Sequence, residues 1–105
     1  MGLYWYTTPW NCWCDMRESK IERHLREVAA DNGWAAYKFN SAGHPGVPDR
    51  ICMGHGGDLF FVETKAPGGT LSPEQAREHA RLRRRGFRVF VVDSLDAVNT
   101  LPWRF

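Results

Sequence analysis

Three short segments of this chain are apolar without alternation: Ile51-Cys52-Met53, Phe60-Phe61-Val62 and Val89-Phe90-Val91-Val92. Successive side chains of a β-strand point to opposite faces, so segments like these bury both faces. A sheet built from them must be covered by helices on each side. The rest of the chain supplies those helices. Ile21, Leu25, Val28 and Ala29 form one stripe and predict a helix from Ser19 to Asn32, stopped by Gly33. A second helix is expected over Glu74–Arg85, ended by Gly86, and a short third over Ser94–Asn99. The strands are expected at Ala35–Phe39, Arg50–Met53, Leu59–Lys65 and Arg88–Val92. Asn40–Pro48, punctuated by Gly43, Pro45, Gly46 and Pro48, reads as a loop, as does Ala66–Pro73. A turn within Gly54–Gly57 makes the second and third strands an antiparallel hairpin. The order α-β-β-β-α-β-α describes a three-layer α/β domain with a mixed sheet. At 105 residues the chain is one domain, and no apolar run approaches the ~20 residues that span a bilayer.

Charge is distributed unevenly. The net charge is +2, but Glu74–Arg88 holds six arginines (Arg77, Arg81, Arg83, Arg84, Arg85 and Arg88) against two glutamates. Arginine suits bidentate contact with phosphate. A solvated helix whose cations complement its C-terminal dipole is the competing reading. The three cysteines, Cys12, Cys14 and Cys52, make no disulfide framework, and with no secretory leader recognised a reducing cytoplasm is expected, in a bacterial or phage-infected cell. Cys12 and Cys14 lack a second Cys/His pair at zinc-site spacing. The aromatic-rich start, residues 1–17, is expected to be an arm that packs on the domain or on a partner subunit, ahead of a domain over 18–105. His24 and His79 fall on helices, where a core or surface role is commoner; a position near nucleic acid is the alternative for His79.

Charged residues interrupt the apolar sheet at one place. Glu63 and Lys65 follow Leu59 and Phe61 at period two, so all four share a face. Asp49 begins the partner strand. A three-residue turn at His55–Gly57 sets Asp49 directly opposite Glu63, with Cβ atoms roughly 4.5–5.5 Å apart. A two-residue turn would instead move Asp49 to the other face. In the first register Asp49, Glu63 and Lys65 converge. Two carboxylates that close repel unless a cation lies between them, and oxygen ligands of this kind suit Mg²⁺ or Mn²⁺. Such an ion activates water and polarises phosphate, while a lysine orients the water or stabilises the oxyanion. An ordinary Glu–Lys or Asp–Lys surface pair has the same spacing.

Gly46-Val47-Pro48-Asp49-Arg50 followed by Phe61-Val62-Glu63-Thr64-Lys65 resembles the PD-(D/E)xK nuclease signature. The longer pattern is similar to the VRR-NUC family, the virus-type replication–repair nuclease domain. It takes in Glu22, Tyr37-Lys38, Leu71-Ser72-Pro73-Glu74-Gln75, and Leu82 to Gly86 ahead of Val89-Phe90-Val91-Val92-Asp93, about residues 18–98 in all. The resemblance implies a restriction-endonuclease-like fold. It assigns Asp49, Glu63 and the Thr64 main-chain carbonyl as ligands of a divalent metal, Lys65 as the catalytic lysine, and Gln75 as the family's glutamine. Glu22 matches the helix-one acid that reaches the metal directly or through water. Ser19-Lys20-Ile21-Glu22 also fits a capping box, and Glu18 is the alternative acid. The expected DNA contacts are Lys38, Arg50, Arg77, Arg81, Arg84 and Arg85. The activity implied is metal-dependent endonucleolytic cleavage of four-way DNA junctions by a homodimer, with no nucleotide cofactor and no membrane contact. A flap or nicking nuclease, or a DNA-binding module that no longer cleaves, are the alternatives.

Overall fold

The structure, a computed structural model, describes residues 12–103, and side chains over 18–103. The chain runs α1 (Cys12–Asp31), β1 (Ala35–Lys38), β2 (Arg50–Met53), a short 3-10 turn at His55–Gly57, β3 (Leu59–Thr64), α2 (Pro73–Arg84), β4 (Arg88–Val92) and α3 (Leu95–Asn99). The strands form one sheet in the order β1-β2-β3-β4; β1, β2 and β3 are antiparallel and β4 joins β3 in parallel. A parallel neighbour needs a crossover, which α2 provides. The sheet is mixed and flanked by helices, as the doubly apolar strands require.

Alternation along β3 divides the molecule into two packed layers. Phe60 and Val62 point to one side, into a core with Ile21, Leu25 and Ala29 of α1, Trp34, Cys52, Val92, Val98 of α3, Leu101 and Trp103. Trp34 anchors this core twice over. Its ring lies 5.0 Å from Phe60, and its indole N–H donates to the Trp103 carbonyl at 2.8 Å. Phe61 and Glu63 point to the opposite side. Phe61 there meets Phe39 at 5.5 Å and Phe87 at 5.9 Å between ring centroids. The apolar part of this second layer gives way to charge at Glu63.

The hairpin register is that of a three-residue turn: Arg50 pairs with Val62, Ile51 with Phe61, Cys52 with Phe60 and Met53 with Leu59. Gly56 and Gly57 hold φ values of 72° and 81°, in the left-handed region that glycine enters without steric cost. The Gly54 N–H closes the turn on the Asp58 carbonyl at 2.7 Å. Asp49 follows one step beyond the last pair, at the end of β2 beside Glu63.

The N-terminal boundary differs most from expectation; the other element ends fall within one residue of it. α1 begins at Cys12 rather than Ser19, because no Gly or Pro between them stops the helix. The Ser19–Glu22 pattern lies inside the helix and caps nothing. Of the N-terminal arm expected over residues 1–17, the last six are therefore part of α1, and residues 1–11 lie outside the described residues.

Gly46 ties the loop between β1 and β2 to the start of α2. Its φ is +94°, and a Cβ there would stand 2.6 Å from the Glu74 carbonyl oxygen and 3.0 Å from the Gln75 nitrogen. Gly43 shares the left-handed φ (+81°) but has open space around it. Gly46→Ala is therefore expected to destabilise the protein by about 3 kcal/mol or more in thermal or urea melts, and Gly43→Ala by about 1–2 kcal/mol.

Candidate active site

Pro48, fully buried, brings the chain to Asp49, and the Asp49 carbonyl accepts from the Phe39 N–H at 2.8 Å. The Asp49 carboxylate is held through one oxygen. Oδ2 accepts from the Thr64 hydroxyl at 2.6 Å and from the Thr64 N–H at 3.2 Å. Glu63, the residue before Thr64, is only 6% exposed. Its Oε2 accepts from the Gln75 amide at 3.2 Å and lies 3.8 Å from Lys65 Nζ. Lys65 Nζ in turn donates to Gln75 Oε1 at 2.9 Å.

Gln75 owes this central place to a capping box. Ser72 Oγ accepts from the Gln75 N–H at 3.1 Å, and the Ser72 N–H donates to Gln75 Oε1 at 2.9 Å. The box satisfies amide groups exposed at the α2 N-terminus. The same side chain leaves its NH₂ for Glu63 and shares its carbonyl oxygen with Lys65. One glutamine thus caps the helix and bridges the carboxylate to the ammonium.

Two oxygens remain without hydrogen-bond partners although buried: Asp49 Oδ1 and Glu63 Oε1. Burial raises the Glu63 pKa to about 8, helped by the Asp49 charge and to a lesser degree by Glu18; Lys65 acts the other way. At neutral pH Glu63 is therefore mostly protonated. Among the described residues no three His, Cys, Asp or Glu side chains gather as a metal cluster. An Asp–Glu pair with unsatisfied oxygens nevertheless fits a hard cation such as Mg²⁺, which binds through one or two carboxylates and keeps its waters.

The remaining residues singled out by sequence fall in different places. Thr64 ends β3, with its hydroxyl and amide committed to Asp49. Glu22 sits 3.9 Å from the Arg50 guanidinium, whereas the helix-one charge felt by Glu63 is that of Glu18. Glu18 lies one helical turn before Glu22. Arg50 is not a free surface cation: its side chain is 11% exposed and turned to Glu22. Lys38 is exposed on the edge strand. Arg77, Arg81 and Arg84 of α2 and its C-cap Arg85 are all exposed and recur at i, i+4, i+7 and i+8, one stripe on the face away from Gln75. Arg81 reaches Glu78 at 3.9 Å and Arg85 returns to the Arg81 carbonyl. Arg83 and Arg88 serve the fold, bonding the Val89 carbonyl and Asp58 respectively.

His79 is the neighbour of the site that sequence pattern did not assign to it. It is 0% exposed, and its Nε2 lies 3.7 Å from Glu63 Oε1. The available signal was spacing: His79 is one helical turn after Gln75, on the same inward face.

The fold and this cluster define a class, a restriction-endonuclease-like α/β domain with an Asp–Glu–Lys centre at the end of its hairpin. Comparison with known proteins narrows it. Residues 5–96 match the profile of the VRR-NUC domain, and the chain belongs to the VRR-NUC nuclease family. It is 48% identical over 87 residues to "Putative nuclease p44" of Acyrthosiphon pisum secondary endosymbiont phage 1, covering 83% of this chain and 94% of that protein. It also superposes on a solved structure titled "VRR_NUC domain" with a TM-score of 0.78 and 32% identity, covering 85% of this chain and 97% of the other.

The raised Glu63 pKa predicts how stability depends on pH. The folded state keeps a proton on Glu63 that the unfolded chain loses near pH 4.5, so this group makes stability fall as pH rises toward about 8. His79, whose pKa burial and then Arg83 push down, acts in the opposite direction, but only below its ordinary value of 6.5. Between pH 6.5 and 8 the melting temperature of chelator-treated protein should therefore fall, and Glu63→Gln should flatten that slope. Melts recorded across this interval check both.

Proposed function

We propose that this nuclease is a divalent-cation-dependent endonuclease that cleaves branched DNA, four-way junctions foremost, as a homodimer. The observation that carries the reading is the Asp49–Glu63 pair, with one buried, unpartnered oxygen on each acid, beside a lysine fixed by Gln75. Asp49, Glu63 and the Thr64 main-chain carbonyl would hold Mg²⁺ or Mn²⁺, with Glu18 or Glu22 reaching it through water. When bound, the cation polarises the phosphodiester and lowers the pKa of a coordinated water.

This chain's own residues have separate tasks. Asp49 is oriented by Thr64, so that Oδ1 is the oxygen left to bind. Gln75 keeps Glu63 and Lys65 apart from direct hydrogen bonding while holding both. Lys65, 19% exposed, offers its remaining N–H donors to an attacking water or to a phosphate oxygen that gains charge. Water is the nucleophile and no covalent intermediate forms.

Substrate choice falls to the surface. The arginine stripe lies on the outer face of α2, across the helix from Glu63. A DNA arm that leaves the cleavage point and passes over α2 would meet it, which favours a branched substrate over a single straight duplex. Each chain carries one such centre, and a two-fold pair of chains would provide two cuts related as the arms of a junction are.

Labelled four-way junction, flap and duplex DNA incubated with Mg²⁺ or Mn²⁺ test the reading. Cleavage of the junction foremost supports it. Cleavage of flaps or nicks alone identifies a different structure-selective nuclease, and binding without cleavage identifies a silent DNA-binding module. Glu63→Ala and Lys65→Ala should each slow cutting by about 10²–10³-fold or more while leaving DNA affinity within a few-fold. Arg77→Ala with Arg84→Ala should weaken binding and lower the slope of log Kd against log salt by about two, one for each phosphate contact removed.

A further inference from the structure

Among the described residues, His79 and Cys52 are the fully buried titratable side chains that the proposed chemistry leaves unused, and Cys52 belongs to the apolar core on the other side of the sheet. Neither Nδ1 nor Nε2 has a hydrogen-bond partner, and the atom nearest to Nε2 in charge terms is Glu63 Oε1, 3.7 Å away and equally unpartnered. Leaving a buried polar group unpaired costs about 1–3 kcal/mol. Here two such groups face each other across a gap that a shift of about 0.7 Å would close to a normal N–H···O bond.

Tautomer logic sets the direction of that bond. A neutral imidazole carries one N–H. Against an ionised Glu63, the form a cation ligand takes, a bare Nε2 would set its lone pair against a carboxylate oxygen and leave Nδ1–H buried without an acceptor. An Nε2–H instead points at Glu63 and leaves only a lone pair unsatisfied at Nδ1.

We propose that His79 is a positioning residue, whose Nε2–H holds Glu63 Oε1 while Gln75 holds Oε2, so that the carboxylate keeps one orientation toward Asp49. The inference rests on the reading of Asp49 and Glu63 as cation ligands. A carboxylate gripped at both oxygens pays its ordering cost in folding rather than at binding. Outer partners of metal ligands act in this way, and their loss typically lowers metal affinity by 10–100-fold.

Titration calorimetry of full-length protein with Mn²⁺ tests it, using Glu63→Ala, His79→Leu and His79→Gln. Glu63→Ala should abolish binding; if binding survives, the cation reading falls and His79 is not at issue. With Glu63→Ala silent as expected, His79→Leu should raise Kd for Mn²⁺ about tenfold or more and slow single-turnover cleavage alongside. His79→Gln, which keeps an amide N–H near the Nε2 position, should recover most of the affinity. Unchanged Mn²⁺ affinity in folded His79→Leu overturns the proposal. Should His79→Leu fail to fold, ¹⁵N-histidine NMR of the unsubstituted protein decides. A proton on His79 Nε2 that exchanges slowly with water, and whose shift moves in Glu63→Gln, supports the proposal. A proton on Nδ1, with Nε2 bare, overturns it.

Discussion

Two carboxylates, the buried Glu63 and the half-buried Asp49, lie side by side with one buried oxygen each left unsatisfied, and much of this small domain is arranged around that unfavourable contact. Glu63 is nearly sealed from water, and its neighbour Asp49 is an acid rather than a base. Removing paired acids from water without full compensation costs stability, and folds retain such pairs where function uses them. Three devices keep the pair in place. The three-residue turn sets the β2–β3 register, the Thr64 hydroxyl anchors Asp49, and Gln75 anchors Glu63.

The same devices also hold the fold together, so chemistry and stability share residues. Gln75 belongs to a capping box that supports the start of α2 while its amide bridges Glu63 and Lys65. Gly46 lets the β1–β2 loop lie against that helix start, where any side chain would strike the Glu74 carbonyl. The loop that delivers Asp49 and the helix that delivers Gln75 are thereby fixed to each other. A change in either one reaches the carboxylates without touching them.

Sequence showed the sheet and the central site more clearly than their surroundings. Doubly apolar strands required helices on both faces, and glycines at 54, 56 and 57 marked a turn whose length could be tied to one register. The pairing of Asp49 with Glu63 follows from that register. The start of α1 was obscured because Ser19 and Glu22 imitate a capping box inside a longer helix. Glu22 was assigned to the metal and Arg50 to DNA, yet each meets the other, a contact between α1 and β2 that no local pattern encodes. His79 was hidden for a similar reason. Spacing placed it on the inward face of α2, but only the packing of α2 on the sheet shows that this face meets Glu63. Long-range partners of polar side chains are set by tertiary packing, and one sequence carries little trace of them.

The account turns on one claim: the acid pair holds a proton that a divalent cation replaces. Calorimetric titration with Mn²⁺ at pH 7, repeated in buffers of different ionisation enthalpy, counts that proton directly. Release of about one proton per cation bound, lost in Glu63→Gln, is the result predicted from a Glu63 pKa of about 8. Binding without proton release, or release that persists in Glu63→Gln, would contradict it.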